Sequence, residues 1–285
     1  MPLVLKNVDF HIKPKEKVGV VGRTGSGKSS MILSLTRIVE MAGDPIYNWV
    51  KIDGINISSI GLHYLRGAIT IIPQDPIMLQ GTIMFNVDPL ETYPKSEIVL
   101  ALKKVQVWDT LTWVKKDTTT LMPGSKPMNI GPPGNKPIVV EEDIKEEDMT
   151  EEELQSKKLN MFVEAGGGNL SIGQKQLICI ARALISKPKI LMMDEATANI
   201  DEKTDQAIQQ LIKSEFKNTT VITIAHRLNT IIQYDKLLIL EYGKLVEFGS
   251  PRELLEKTGG YFRGLVLEGG EEFVEDMFEL IKVKE

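Results

Sequence analysis

Residues 22–29 read Gly22-Arg23-Thr24-Gly25-Ser26-Gly27-Lys28-Ser29, and they stand between two segments of opposite character. Before them, Lys17 to Val21 is a short apolar run of strand type. After them, Met31, Ile32, Leu35, Ile38 and Val39 recur at helical spacing, which predicts a helix from Lys28 to Val39. A strand that turns through a glycine-rich loop into a helix is the setting the spacing G-x-x-x-x-G-K-[ST] requires. Glycines let the backbone wrap closely, so that successive N–H groups converge on phosphate oxygens and the positive helix end adds to the attraction. Gly22 to Ser30 are thus the expected phosphate-binding set. Lys28 is placed to reach the β- and γ-phosphates of a nucleotide, and the Ser29 hydroxyl to ligate Mg²⁺.

The remaining pattern places this unit in an α/β fold. Leu3 to Phe10 and Val50-Lys51-Ile52 read as β-rich runs, the latter ending at the turn pair Asp53-Gly54. Ile69 to Ile72, Ile190 to Met193, Val221 to Ile224 and Lys236 to Leu240 are continuous apolar runs, as expected of parallel strands buried on both faces. Helical segments separate most of them, so the active site is expected where the strands end at their carboxyl side. At one such end Met193 runs into Asp194-Glu195. Phosphoryl transfer to water needs one group to hold Mg²⁺ and another to orient the water, which assigns Asp194 to the metal and Glu195 to the water. An acidic pair that ends a strand is by itself more often a solvated loop start than a catalytic site; the glycine-rich loop reverses that.

The middle of the chain differs in composition. Residues 123–137 hold five prolines and three glycines, and residues 141–153 hold nine acids. Such a stretch is too polar to build a core of its own, and residues 118–158 are expected to form a mobile insertion. Thr150 and Glu153 nevertheless have capping-box spacing, which predicts a short helix through Lys158, although an acid-directed kinase could also use Thr150. Ser171 can cap a second helix, with Leu177, Ile180, Ala181 and Leu184 as a stripe before Pro188. Residues 271–285 form an amphipathic acidic helix with Phe273, Met277, Leu280 and Ile281 on one face, expected to dock on the core. Cys179 is the single cysteine, set in an apolar run, and reads as a buried structural thiol.

In this order the motifs resemble those of the ATP-binding domains of ABC transporters over nearly the whole chain. Ile71-Ile72-Pro73-Gln74-Asp75-Pro76 is similar to the family's Q-loop, Leu170-Ser171-Ile172-Gly173-Gln174 to its signature motif, Ala198-Asn199-Ile200-Asp201 to its D-loop, and Thr223-Ile224-Ala225-His226-Arg227 to its switch segment. The resemblance implies a P-loop NTPase core with a mostly parallel sheet, an N-terminal antiparallel β subdomain and a helical subdomain over about 75–187. It implies ATP and Mg²⁺ as ligands, with Gln74 sensing the γ-phosphate and the metal, and with Glu195 and His226 catalytic. The signature residues Leu170 to Gln174 would close over ATP held by a partner domain in a head-to-tail dimer. Ile60 to Arg66, Gln80 to Pro89 and Val246 to Pro251 resemble the C subfamily, and its second ATP-binding domain in particular. Ile172 fits that assignment, and its Cβ would hinder backbone approach to phosphate, so the site it completes is expected to be the poorer hydrolytic one. Two departures stand out: no aromatic residue precedes Phe10 to stack on adenine, and the acidic insertion exceeds what the family needs.

These features imply a membrane-associated motor whose transmembrane domains lie outside this sequence, with the present chain as a fragment on the cytoplasmic side. No apolar run approaches the ~20 residues of a membrane span. The alternative within the family is a nucleotide-sensing module that gates a channel without pumping. A soluble ATPase acting on nucleic acid is disfavoured: the net charge is −5, and no Lys/Arg-rich block is interleaved with aromatics.

Overall fold

The computed structural model describes residues 3–40, 42, 50–111, 149–194, 202–225 and 227–282. In chain order the elements are β1 (Lys17–Val21), α1 (Lys28–Leu35), β2 (Lys51–Ile52), β3 (Ile55–Asn56), α2 (Leu62–Ala68), β4 (Ile69–Ile72), β5 (Gly81–Thr82), α3 (Ile83–Val87) and α4 (Lys95–Lys104). Next come α5 (Glu151–Leu159), β6 (Phe162–Val163), α6 (Ile172–Ser186), β7 (Ile190–Asp194), α7 (Glu202–Glu215), β8 (Thr220–Ile224) and α8 (Leu228–Ile231). The chain closes with β9 (Lys236–Glu241), β10 (Lys244–Gly249), α9 (Pro251–Glu256), α10 (Tyr261–Leu267) and α11 (Glu271–Lys282).

Six strands form one sheet in the order β10-β9-β1-β8-β7-β4. All its neighbours pair in parallel except β10, which returns antiparallel on β9. The apolar runs owe their continuity to burial on both faces. Along β1, Val18 and Val20 join Met31 and Ile32 of α1, whereas Val21 joins Phe262 and Val266 of α10. Along β7, Leu191 and Met193 pack with the α4 and α6 side chains, whereas Met192 packs on the α1 side. Alternate residues thus meet different helical layers, and polar residues are left to the strand ends, Lys17 and Asp194.

Four sequence expectations need adjustment. Helix α1 ends at Leu35 rather than Val39: the Thr36 hydroxyl donates to the Ile32 carbonyl at 3.0 Å, Arg37 takes a positive φ of 50°, and Ile38 and Val39 are exposed. A side chain that bonds back to the preceding turn competes with continuation of the helix. Residues 3–10 do not form a strand. Asn7 has a φ of 50°, which interrupts extension, and the Lys6 N–H donates to the Gly243 carbonyl at 2.7 Å while Leu5, Val8 and Phe10 lean on the core. Antiparallel pairing in the N-terminal half is therefore carried, among the described residues, by β2 with β3. The expected mobile stretch 118–158 is ordered at its end, because Thr150 caps α5 and Lys158 is buried with its ammonium donating to the Trp108 carbonyl at 3.0 Å. Residues 118–148 lie outside the described residues. Finally, the buried face of α6 runs through Ile178, Cys179, Ile180, Ala181, Ala183 and Ile185, with Leu177 and Leu184 only at its margin.

Candidate nucleotide site

The loop after β1 is built around backbone positions that side chains would obstruct. Gly25 and Gly27 have φ of 82° and 104°, and a Cβ on Gly27 would come within 2.7 Å of Leu5 Cδ2. The turn is closed by the Ser26 N–H donating to the Arg23 carbonyl at 3.1 Å, and held from outside by the Gly243 N–H donating to the Ser26 carbonyl at 3.0 Å. Lys28 is buried, and its ammonium donates to the Gly22 carbonyl at 2.8 Å and the Arg23 carbonyl at 3.2 Å. The Ser26 Oγ is buried, without a hydrogen-bond partner among the described residues. Among the described residues no side chain caps the N-terminus of helix α1, where a helix concentrates its unsatisfied N–H groups and positive dipole. A buried ammonium, a partnerless hydroxyl and an uncapped helix start fit a phosphate chain. Ser29 and Thr24 are exposed beside them.

Register brings the other predicted residues to the same edge. Val20 is opposite Ile224, Asp194 is opposite Ile224, and Ile72 is opposite Met193. The phosphate loop, the chain leaving β8 toward position 226, Asp194 at the end of β7, and Gln74 two residues beyond β4 therefore leave adjacent parallel strands at one end of the sheet. Asp194 is half-buried and Gln74 exposed. Glu195 and His226 lie outside the described residues, as does the D-loop stretch 198–201. A hard divalent cation suits the oxygen donors Ser29, Gln74 and Asp194, since Mg²⁺ is usually held by one or two protein groups together with substrate phosphates and water.

The signature residues form a separate, well-ordered surface. Ser171 and Gln174 make a reciprocal capping box: the Gln174 N–H donates to Ser171 Oγ at 3.1 Å, and the Ser171 N–H to Gln174 Oε1 at 2.9 Å. The Gln174 amide also donates to the Thr110 carbonyl at 2.9 Å. Leu170 is buried, Ser171 and Ile172 are exposed, and Gly173 opens on ordinary contacts.

Several supporting contacts escaped the sequence reading, even where one of the residues lay in a motif already named. Gln176, buried in the apolar face of α6, donates to the carbonyl of Pro73, the residue before Gln74. Behind β8, Thr223 Oγ1 and Tyr234 Oη are 3.0 Å apart, and burial first of all pushes the Tyr234 phenol up to about 12. Arg227, next to position 226, pairs with the buried Asp205 at 3.6 Å. Arg23 was expected in the loop, but its partner Glu268 was not, and this carboxylate raises the guanidinium further above its usual value. A buried glutamine within an apolar stripe was the one signal in the sequence that could have pointed to any of them.

Comparison with known proteins agrees with this geometry. A family model described as ABC transporter matches residues 5–198. The chain is similar to ABC transporter 7 of Pyricularia oryzae, 46% identical over 264 residues, and to ATP-binding cassette sub-family C member 2 of Mus musculus, 45% identical over 262 residues. Each alignment takes in 92% of this chain but only 14% of the relative, so the chain spans a small part of those proteins' length. Among solved structures it is similar to a bacterial Atm1-family ABC exporter with ATP bound, with a TM-score of 0.71 and 27% identity over 94% of this chain and 39% of that one. A glycine-rich loop opening α1, acidic and glutamine-bearing strand ends beside it, and relatives of this kind lead to one assignment: the chain belongs to the ABC transporter family, as its ATP-binding domain.

Proposed function

We propose that the chain is the ATP-hydrolysing motor of a membrane exporter of the C-subfamily type, and that it works as a head-to-tail dimer coupled to transmembrane domains. The observation that carries this reading is the alignment of the phosphate loop, Asp194 and Gln74 at one end of the parallel sheet, with the capped N-terminus of α6 presented separately. Loop N–H groups and Lys28 bind the β- and γ-phosphates, and the Ser26 hydroxyl gains the partner it lacks among the described residues. Ser29, Asp194 and Gln74 would hold Mg²⁺, whose charge, when bound, offsets that of the triphosphate. Glu195 accepts a proton from the attacking water, and His226 contacts the γ-phosphate and holds that water in line. Ser171 and its neighbours close over ATP seated on the partner, where the Cβ of Ile172 would limit the approach of the backbone to phosphate.

The test is Mg²⁺-dependent phosphate release by the wild type and the Glu195→Gln variant, with ATP-dependent dimerisation followed by light scattering. Hydrolysis by the wild type and accumulation of a nucleotide-bound dimer by the variant are expected. A wild type that dimerises on ATP but releases phosphate no faster than the variant would overturn the motor reading in favour of a nucleotide-sensing module.

A further inference from the structure

Arg23 belongs to the phosphate loop, yet its guanidinium leaves the loop and meets the Glu268 carboxylate at the end of α10. The two ends of this contact differ in rigidity. Glu268 is fixed on a packed element: its N–H donates to the Gly264 carbonyl at 3.2 Å, and Phe262 and Val266 of α10 are fully buried against Val21 and Ile239. Arg23 sits in the loop, and its carbonyl is the shared acceptor for the Lys28 ammonium at 3.2 Å and the Ser26 N–H at 3.1 Å. A pull on the side chain of residue 23 is therefore felt at the carbonyl that seats Lys28.

We propose that Glu268 is a positioning residue for the nucleotide, bracing Arg23 so that the phosphate loop keeps the shape in which Lys28 and Ser26 face the phosphates. The proposal rests on the reading of this loop as the ATP site. The sign of the effect sets it apart from simple electrostatics. Removing a carboxylate beside an anion site makes the local field more positive, which by itself tightens binding. Losing a brace loosens it.

The experiment measures ATP binding in Mg²⁺ by calorimetry, together with KM and kcat for phosphate release, in the wild type, Glu268→Gln, Glu268→Asp, Arg23→Gln and the Arg23→Gln/Glu268→Gln double variant. Glu275→Gln, which removes one exposed charge from α11, is the control. Because the pair is exposed, Glu268→Gln should raise the Kd and KM about two- to fivefold with little change in kcat. Glu268→Asp should recover part of that loss, the double variant should be no worse than the poorer single variant, and Glu275→Gln should not weaken binding. An unchanged or lower Kd in Glu268→Gln, or single effects that add in the double variant, would overturn the proposal. A wild type that binds no ATP would remove the nucleotide reading itself and the brace with it.

Discussion

Ser26 shows how a residue can be costly in the free protein and useful in the complex. Its buried hydroxyl finds no partner among the described residues, an arrangement worth about 1–3 kcal/mol of lost stability. Ser26→Ala should therefore leave the nucleotide-free protein as stable as the wild type or raise its Tm, while ATP should raise the variant's Tm by less. Thermal melts with and without ATP measure both, and a variant that gains the full ATP increment would dissociate the hydroxyl from the phosphates. Tyr234 carries the clearest pH dependence. Its folded pKa is about 12 against an ordinary 10, so the native state keeps its proton where the unfolded chain loses it. The contribution is fully present below pH 10 and is lost as pH rises toward 12, at about 1.4 kcal/mol per pH unit. Urea titrations at pH 9 to 11.5 should show that slope, and Tyr234→Phe should flatten it. At this scale the loop from Gly22 to Ser30 was legible because each residue type answers a local demand of the turn. The Glu268 partner of Arg23 was not, since the two are 245 residues apart and neither position demands its residue type locally.

Elements followed the sequence wherever their signal was local. Strands β4, β7, β8 and β9 fall on the apolar runs to within one residue, because burial on both faces leaves no ambiguous position. Helix ends were harder. The apolar spacing past Leu35 continues, but Thr36 and Arg37 turn the chain, and Ile38 and Val39 remain in solvent. The short helices α2, α3 and α8 carry too few turns to show a period. The helix starts at Thr150 and Ser171 are the exception, as each pairs a hydroxyl with Glu or Gln three residues on, whereas the equivalent box at Ser250 was not read from the sequence. Thr150→Ala should lower stability by about 1 kcal/mol and increase amide exchange across 150–159. The Thr150 and Ser250 N–H groups and hydroxyls hold the Glu153 and Glu253 carboxyls below the usual range. That support is present above the unfolded carboxyl value and lost as pH falls through the lower folded one, so the Thr150→Ala defect should shrink in acid.

For the whole molecule, the C-terminal helices tie the far end of the chain to the strand that feeds the phosphate loop. Phe273, Met277, Leu280 and Ile281 were read from sequence as the docking face of α11. The structure buries Met277 and Ile281 deeply, adds Val274, and leaves Phe273 and Leu280 at the edge. The face was legible from its period. What it docks on was not, because Val21, Tyr234 and Phe262 come from three distant segments that only the sheet order brings together. Met277 is 1% exposed, so Met277→Ala should leave a cavity costing about 2–5 kcal/mol. In a chain of this size that lowers the Tm by several degrees. The cavity would lie under α11, whereas the Glu268 contact hangs from α10, whose Phe262 and Val266 are also in the core cluster with Val21 and Ile239 of the sheet. Saturating ATP should therefore add the same stability to Met277→Ala as to the wild type, about 2.7 kcal/mol at a concentration 100 times the Kd. A reduced increment would mean that α11 itself shapes the nucleotide site, and the brace would then extend over the whole C-terminal unit rather than ending at α10.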